Sequence, residues 1–114
     1  MKKMTQAQIR EAIGRRLKMA RRAAGFRFAK DFSEKLDIDQ NSYTPYERGV
    51  AAPPVHKLDL IKQHTGVTMD WLYLGETANL TVRVLEALTK EAEKEGLAVD
   101  GTPLQTRQRL TDKR

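Results

Sequence analysis

From Thr5 to Ala24, apolar residues recur at three- and four-residue intervals: Ile9, Ile13, Leu17, Ala20 and Ala24. That spacing predicts an amphipathic helix with one buried stripe. Thr5 is placed to cap it, Gln8 completes a capping box, and Met4 and Ile9 stand at the two positions of a hydrophobic staple. Gly25 ends it. A second, shorter helix is predicted over Ala29 to Leu36, with Phe28, Phe32 and Leu36 on one face. Asp37-Ile38 form a tight turn. Asp39 is then an N-cap for a third helix through Gln40, Asn41, Ser42, Tyr43 and Thr44, closed by Gly49. After the loop Val50-Ala51-Ala52-Pro53-Pro54, Pro54 sits at the first turn of a fourth helix. Leu58, Ile61 and Val55 are the candidates for its buried face, and Gly66 stops it. Thr68 caps a short fifth helix from Met69 to Leu74, ended by Gly75.

Beyond Glu76 the pattern changes. Asn79 is placed to cap a helix from Leu80 to about Glu95, with Val84, Leu85, Leu88 and Ala92 as a narrow apolar stripe. Its other face carries Glu86, Lys90, Glu91, Glu93, Lys94 and Glu95, with Glu86 and Lys90 at the favourable i,i+4 spacing. This helix has two uses, packing on its own domain or pairing with its twin in a dimer, and the narrow stripe favours pairing. Gly96 ends it, and from Ala98 to Arg114 glycine, proline and charge dominate, which predicts a mobile tail. No alternating strand pattern occurs. The chain is therefore expected to be all-α, with a main domain over 1–76, a C-terminal helix over 77–96 and a tail over 97–114.

Composition narrows the function classes. The 114 residues fit one domain, and 39% hydrophobic content is enough for one small core. A mean hydropathy of −0.63 with 32% charged residues leaves no run near the roughly 18–20 apolar residues of a spanning helix, so no membrane partner is expected. Met1-Lys2-Lys3 is not followed by an apolar stretch, so nothing directs export, and the expected compartment is the cytoplasm. The absence of cysteine removes disulfides, thiolate catalysis and cysteine-ligated zinc. His56 and His64 lie eight apart with no acidic partner at metal-ligand spacing, so no metal or cofactor is expected. With no His–carboxylate arrangement and no Gly-rich phosphate loop, neither is an enzyme.

Charge is unevenly placed. Residues 1–27 hold nine basic groups (Lys2, Lys3, Arg10, Arg15, Arg16, Lys18, Arg21, Arg22, Arg27) against Glu11 alone, a balance of +8 within a total of +6. Residues 28–49 hold three basic groups against five acidic ones, a balance of −2. The basic N-terminal quarter points to a polyanionic partner.

Two short helices joined by a tight turn, the second opening on amide side chains, form a helix-turn-helix pattern. The N-terminal end of such a second helix enters the major groove and must present short donor–acceptor side chains there. Gln40 and Asn41 suit an adenine edge, and Ser42 suits a base or a phosphate. Lys30 and Arg27 flank the start of the preceding helix and are candidates for phosphate contact.

Residues 9–76, which cover 68 of the 114 positions, resemble the phage Cro/repressor-type (XRE family) helix-turn-helix regulators. The matching pieces begin with Ile13-Gly14-Arg15-Arg16-Leu17, Arg21 and Gly25, followed by Phe32-Ser33-Glu34-Lys35-Leu36. Tyr43 to Gly49, ending Tyr46-Glu47-Arg48-Gly49, and Leu58 with Ile61 come next, and Gly66-Val67-Thr68-Met69-Asp70-Trp71-Leu72 with Gly75-Glu76 completes the set. The resemblance implies a five-helix, lambda-repressor-like domain and homodimers on a two-fold site in double-stranded DNA. It also implies a recognition helix starting near Gln40, with Gln40, Asn41 and Thr44 toward bases and Arg27, Lys30, Ser42 and Arg48 toward the backbone. Arg21 and Glu47 fall on a pair that ties the first helix to the third.

Two features depart from that pattern. Pro45 stands inside the third helix, where a missing N–H and a displaced Thr44 predict a kink or a split. The loop Val50–Pro54 has no basic residue, and Asp31, Asp37 and Asp39 lie near the presumed DNA face. A reading of another class follows: the same fold used for protein contact, antitoxin-like or accessory, with a partner bound through 77–114. In either case Trp71, Tyr43 and Leu72 are expected in the core, while Tyr46 and Tyr73 could stack on nucleic acid but, isolated and without a strand platform, do not suggest single-strand binding.

Overall fold

The computed structural model describes residues 4–104; Lys2, Lys3, Arg107, Arg109, Lys113 and Arg114 lie outside the described residues. Among the described residues six helices follow one another: α1 (Gln6–Ala23), α2 (Ala29–Lys35), α3 (Gln40–Glu47), α4 (Val55–Thr65), α5 (Met69–Leu74) and α6 (Val82–Glu95). Apart from an isolated bridge between Leu97 and Pro103, no β-structure occurs among the described residues. The protein is all-α. No described helix is long and apolar enough to cross a membrane.

Local signals place most helix ends. The Thr5 hydroxyl accepts from the Gln8 amide at 3.1 Å, and the Thr5 amide donates to the Gln8 side chain at 2.8 Å, completing the capping box. Asp39 caps α3 through the Asn41 amide at 3.0 Å, and Thr68 caps α5 through the Trp71 amide at 3.0 Å. α6 differs: its cap is Thr81, which accepts from Val84, while Asn79 donates instead to Asp70 at 3.3 Å. Pro54 is the cap of α4 rather than its first helical residue.

α1 is the central element, packing against α3, α5 and α6 and more lightly on α4, while α2 packs on α3. Ile13, Leu17 and Ala20 meet Phe32, Leu36, Tyr43, Ile61, Trp71, Leu72 and Leu88 in one core. An aromatic chain runs through it, Phe26–Phe32–Tyr43–Tyr46, with ring centroids 5.1, 5.6 and 6.2 Å apart. Tyr46 is thus core and not a stacking platform, and Tyr73 is half-buried with its hydroxyl 3.4 Å from the Pro53 carbonyl. Phe28 (60% exposed) and Val55 (71% exposed) point outward, so neither joins the buried faces expected for them. Phe28 is the N-cap of α2, with extended backbone outside the helical register, and Val55 is the first residue of α4, where the 3.6-residue turn carries it off the Leu58–Ile61 stripe.

α3 runs unbroken through Pro45 instead of splitting. The proline removes only the bond to the Asn41 carbonyl, and Asn41 lies at an exposed first turn where water serves. Buried Tyr43 and Tyr46 pin the helix, and the Pro45 carbonyl accepts from Val50 at 3.0 Å and Ala51 at 3.3 Å.

The C-terminal part differs most from expectation. α6 lies along α1 with Leu88 and Ala92 buried, so its stripe is used inside its own chain rather than left for a twin. Residues 97–104, expected as part of a mobile tail, fold back as a strap. The Trp71 indole donates to the Val99 carbonyl at 3.0 Å, Arg16 Nε donates to the Asp100 carbonyl at 2.7 Å, and Arg15 Nε donates to the Gly101 carbonyl at 3.0 Å. Leu97 and Val99 pack against the core. Few apolar residues suffice here because buried polar groups need the strap's carbonyls.

α1 and α3 meet at Gly14. A Cβ there would stand 2.5 Å from the Glu47 carbonyl oxygen and 2.9 Å from that of Tyr46, backbone atoms with no freedom to swing aside. Alanine inside a helix is ordinarily worth about 0.5–1 kcal/mol over glycine. Gly14→Ala is nevertheless expected to lose about 1–3 kcal/mol, because the helices must part. Urea unfolding measures this as a lower midpoint at constant slope; a midpoint at or above the parent's would refute the close crossing.

Candidate nucleic-acid interface

The turn between α2 and α3 is built locally. Asp37 takes a left-handed conformation (φ 58°), buried Ile38 anchors the turn, and its amide donates to the Ser33 carbonyl at 2.9 Å. The Asp39 carboxylate is engaged as the α3 cap. Gln40, Asn41 and Ser42 then emerge consecutively on an exposed first turn, with Thr44 half-buried one turn on. Among the described residues the Gln40 and Asn41 side chains form no hydrogen bond, so both amides are free to pair outward.

The far end of α3 is fixed. Arg21 grips Glu47 with two bonds, Nε to Oε2 at 2.7 Å and Nη2 to Oε1 at 3.2 Å, and the Tyr43 hydroxyl donates to Glu47 at 2.5 Å. Arg21 Nη1 also donates to the carbonyls of Phe26 (2.9 Å) and Arg27 (2.6 Å), which lead into α2. Arg21 is 4% exposed, and the Glu47 side chain 10%. Burial, followed by the Glu47 carboxylate, pushes the Tyr43 phenol well above its ordinary value, so it stays a neutral donor. One guanidinium therefore sets α1, α3 and the approach to α2 in register.

The four phosphate candidates are all exposed but are not gathered at one point. Arg27 stands over the Phe28 ring, 5.7 Å from its centroid, ahead of α2, and Lys30 is on the first turn of α2. Ser42 is beside the amides. Arg48 caps the opposite end of α3, seven residues from Asn41 and hence on the same face, about 10 Å along the axis. Pro45 falls between those two, half-buried, so this face carries an apolar patch where a longer polar residue would reach further. Asp31, Glu34, Asp37 and Asp39 are exposed nearby.

The charge on α1 is largely turned inward. Of the seven described basic residues before Phe28 (Arg10, Arg15, Arg16, Lys18, Arg21, Arg22 and Arg27), four are engaged within the chain. Arg21 binds Glu47, Arg22 stands 3.5 Å from Glu95, Arg15 binds Gly101, and Arg16 is 7% exposed. Arg16 also donates to the carbonyls of Leu72 (3.1 Å) and Tyr73 (3.0 Å) at the end of α5. Burial lowers the Arg16 pKa, with Asp100 opposing and Arg15 adding to the shift. Burial alone would raise Asp100, but hydrogen bonds from Thr102 and the Arg16 charge bring it below its ordinary value. All four arginines add to the long-range field, and buried Arg16 and Arg21 are withdrawn from direct contact with a phosphate. The +8 of the N-terminal quarter thus overstates the contact charge available.

Sequence reasoning missed the strap and two inward acids of α6, Glu91 and Glu95. A signal existed: Val84, Leu88, Glu91 and Glu95 follow one i, i+4, i+7, i+11 stripe. Comparison with protein-family models, with curated proteins and with solved structures finds no match to this chain.

Proposed function

We propose that this chain is a sequence-specific regulator that binds double-stranded DNA as a homodimer, a cytoplasmic repressor reading the major groove with α3. The observation that carries this reading is the first turn of α3. Two free amides project there from a helix whose far end is held by a buried Arg21–Glu47–Tyr43 network. Rigid presentation of short donor–acceptor groups is what base readout needs. Gln40, Asn41 and Thr44 address bases, and Arg27, Lys30, Ser42 and Arg48 address the backbone. The resemblance of residues 9–76 to Cro/repressor-type regulators adds the dimer and the sign of regulation. No metal or cofactor is invoked.

Selection of bound DNA from a random pool tests this. The parent chain should enrich a two-fold sequence. Gln40→Ala with Asn41→Ala should lose roughly 10- to 100-fold in preference per lost base contact, while non-specific binding and its salt slope persist. Preference surviving in the double variant would sink the assignment of these residues. A pool with nothing enriched, by the parent or by Pro45→Gln, would reject DNA reading.

A second reading is favoured by the exposed acids Asp31, Glu34, Asp37 and Asp39 beside α3 and by the uncharged loop Val50–Pro54. In it the fold serves protein contact, antitoxin-like or accessory, through region 77–114. With α6 and the strap packed on α1, the described surface left there is the outer polar face of α6, carrying Glu86, Lys90, Glu93 and Lys94.

A further inference from the structure

α6 turns two carboxylates toward α1. Glu91 and Glu95 are four residues apart and so share a face. Glu91 is 8% exposed and the Glu95 side chain 16%. Arg22 of α1 stands 3.5 Å from Glu95 Oε2, longer than a charge-assisted hydrogen bond. That oxygen is buried with no hydrogen-bond donor among the described residues. The groove over the pair is lined from α1 by Lys18, Arg21 and Arg22, ahead of α2 by Arg27, from α3 by Glu47, and on α6 by Lys94. Arg21 is already bonded to Glu47, and Arg27 and Lys94 lie out in solvent. Buried Glu91 and partly buried Glu95 thus face Arg22, loosely placed at 3.5 Å, and half-buried Lys18, which forms no ion pair with either among the described residues, so a proton kept on Glu95 avoids two close negative charges.

We propose that Glu95, set beside Glu91, keeps a proton in the folded chain and forms a pH-sensitive latch, holding the last turn of α6, and the strap behind it, on α1. The strap starts at the latch, since the Leu97 amide donates to the Ala92 carbonyl at 2.9 Å, directly after Gly96. Burial, followed by the hydrogen bond with Glu91, pushes Glu95 up from 4.5 to about 7. Between those values the folded chain holds a proton that the unfolded chain has lost. The latch's contribution is therefore full below pH 4.5, declines as pH rises, and is gone above about 7. Asp100, shifted the other way from 3.8, acts below this window.

The test is the thermal midpoint of the full chain from pH 5 to 8.5 at fixed ionic strength, with amide exchange of α6 and residues 97–104. The midpoint should fall between pH 5 and 7.5 and then level off, and exchange in these segments, corrected for intrinsic rate, should quicken. Glu95→Gln keeps the shape of the protonated acid, so it should flatten the profile and exceed the parent's midpoint at pH 8. A flat or rising parent profile, or a decline unchanged in Glu95→Gln, would overturn the latch. Should that variant not fold, the side-chain carboxyl resonance of Glu95 in the parent decides: titration near 7 upholds the proposal, and titration near 4.5 ends it.

Discussion

Glu47→Ala is expected to lose about 3–5 kcal/mol of stability, because it leaves a buried guanidinium without its counter-charge. Arg21 keeps its bonds to the Phe26 and Arg27 carbonyls, which balance no charge, and the Tyr43 hydroxyl loses its acceptor at the same time. Against a total of about 5–15 kcal/mol for a domain of this size, this is a large fraction. Urea unfolding at pH 7 reads it directly. Glu47→Gln retains an acceptor and is expected to lose less, since only the charge goes. Replacing both partners, Arg21→Met with Glu47→Leu, removes the desolvated charges together and should recover part of the loss. The recovery stays partial because Tyr43 and the 26–27 turn still lack a partner. If Glu47→Ala were as stable as the parent, the network would not be the bond between α1 and α3.

Ending the chain at Gly96 is expected to lose about 3–6 kcal/mol, from stranded buried donors and lost apolar packing. The Trp71 indole N–H would be left without Val99, Arg16 Nε without Asp100, and the core without Leu97 and Val99. A chain ending at Leu104 retains every one of these contacts and should unfold at a clearly higher midpoint than the chain ending at Gly96. The distinction bears on function as well. A partner-binding test that removes 97–114 would confound lost contact with lost fold, whereas removal of 105–114 separates them. Tryptophan emission is a convenient second readout, since Trp71 is fully buried. Equal stability of the two truncations would mean that the strap adds nothing to the fold.

Much of the fold is legible because its signals are short-range. The capping box of Thr5 and Gln8, the caps Asp39 and Thr68, and the stops at Gly66, Gly75 and Gly96 each involve neighbours within about one turn. Asn79 and Thr81 show the limit of such signals. Both are competent caps two residues apart, and the choice was made by where the turn at residues 77–80 lets α6 reach α1. The candidate reading turn is equally local, so Gln40 and Asn41 could be singled out from sequence. What supports that turn could not be derived from spacing. Arg21 and Glu47 are 26 positions apart, and only resemblance to known regulators paired them.

Spacing and composition by themselves determined an all-α chain, its helices with most of their ends, and many of its buried apolar side chains, though not Tyr46, and they put Phe28 and Val55 on buried faces that both leave. Hydrophobic periodicity and capping act over three or four residues, so one dimension carries them. Only the tertiary structure decided which charges face outward. Arg16 finds Asp100 at a separation of 84 residues, and Glu91 and Glu95 turn inward on a face that reads as polar. A side chain's charge is written in the sequence, but its exposure depends on which distant backbone supplies a partner. The basic N-terminal quarter accordingly became, in three dimensions, as much a set of internal ties as a surface.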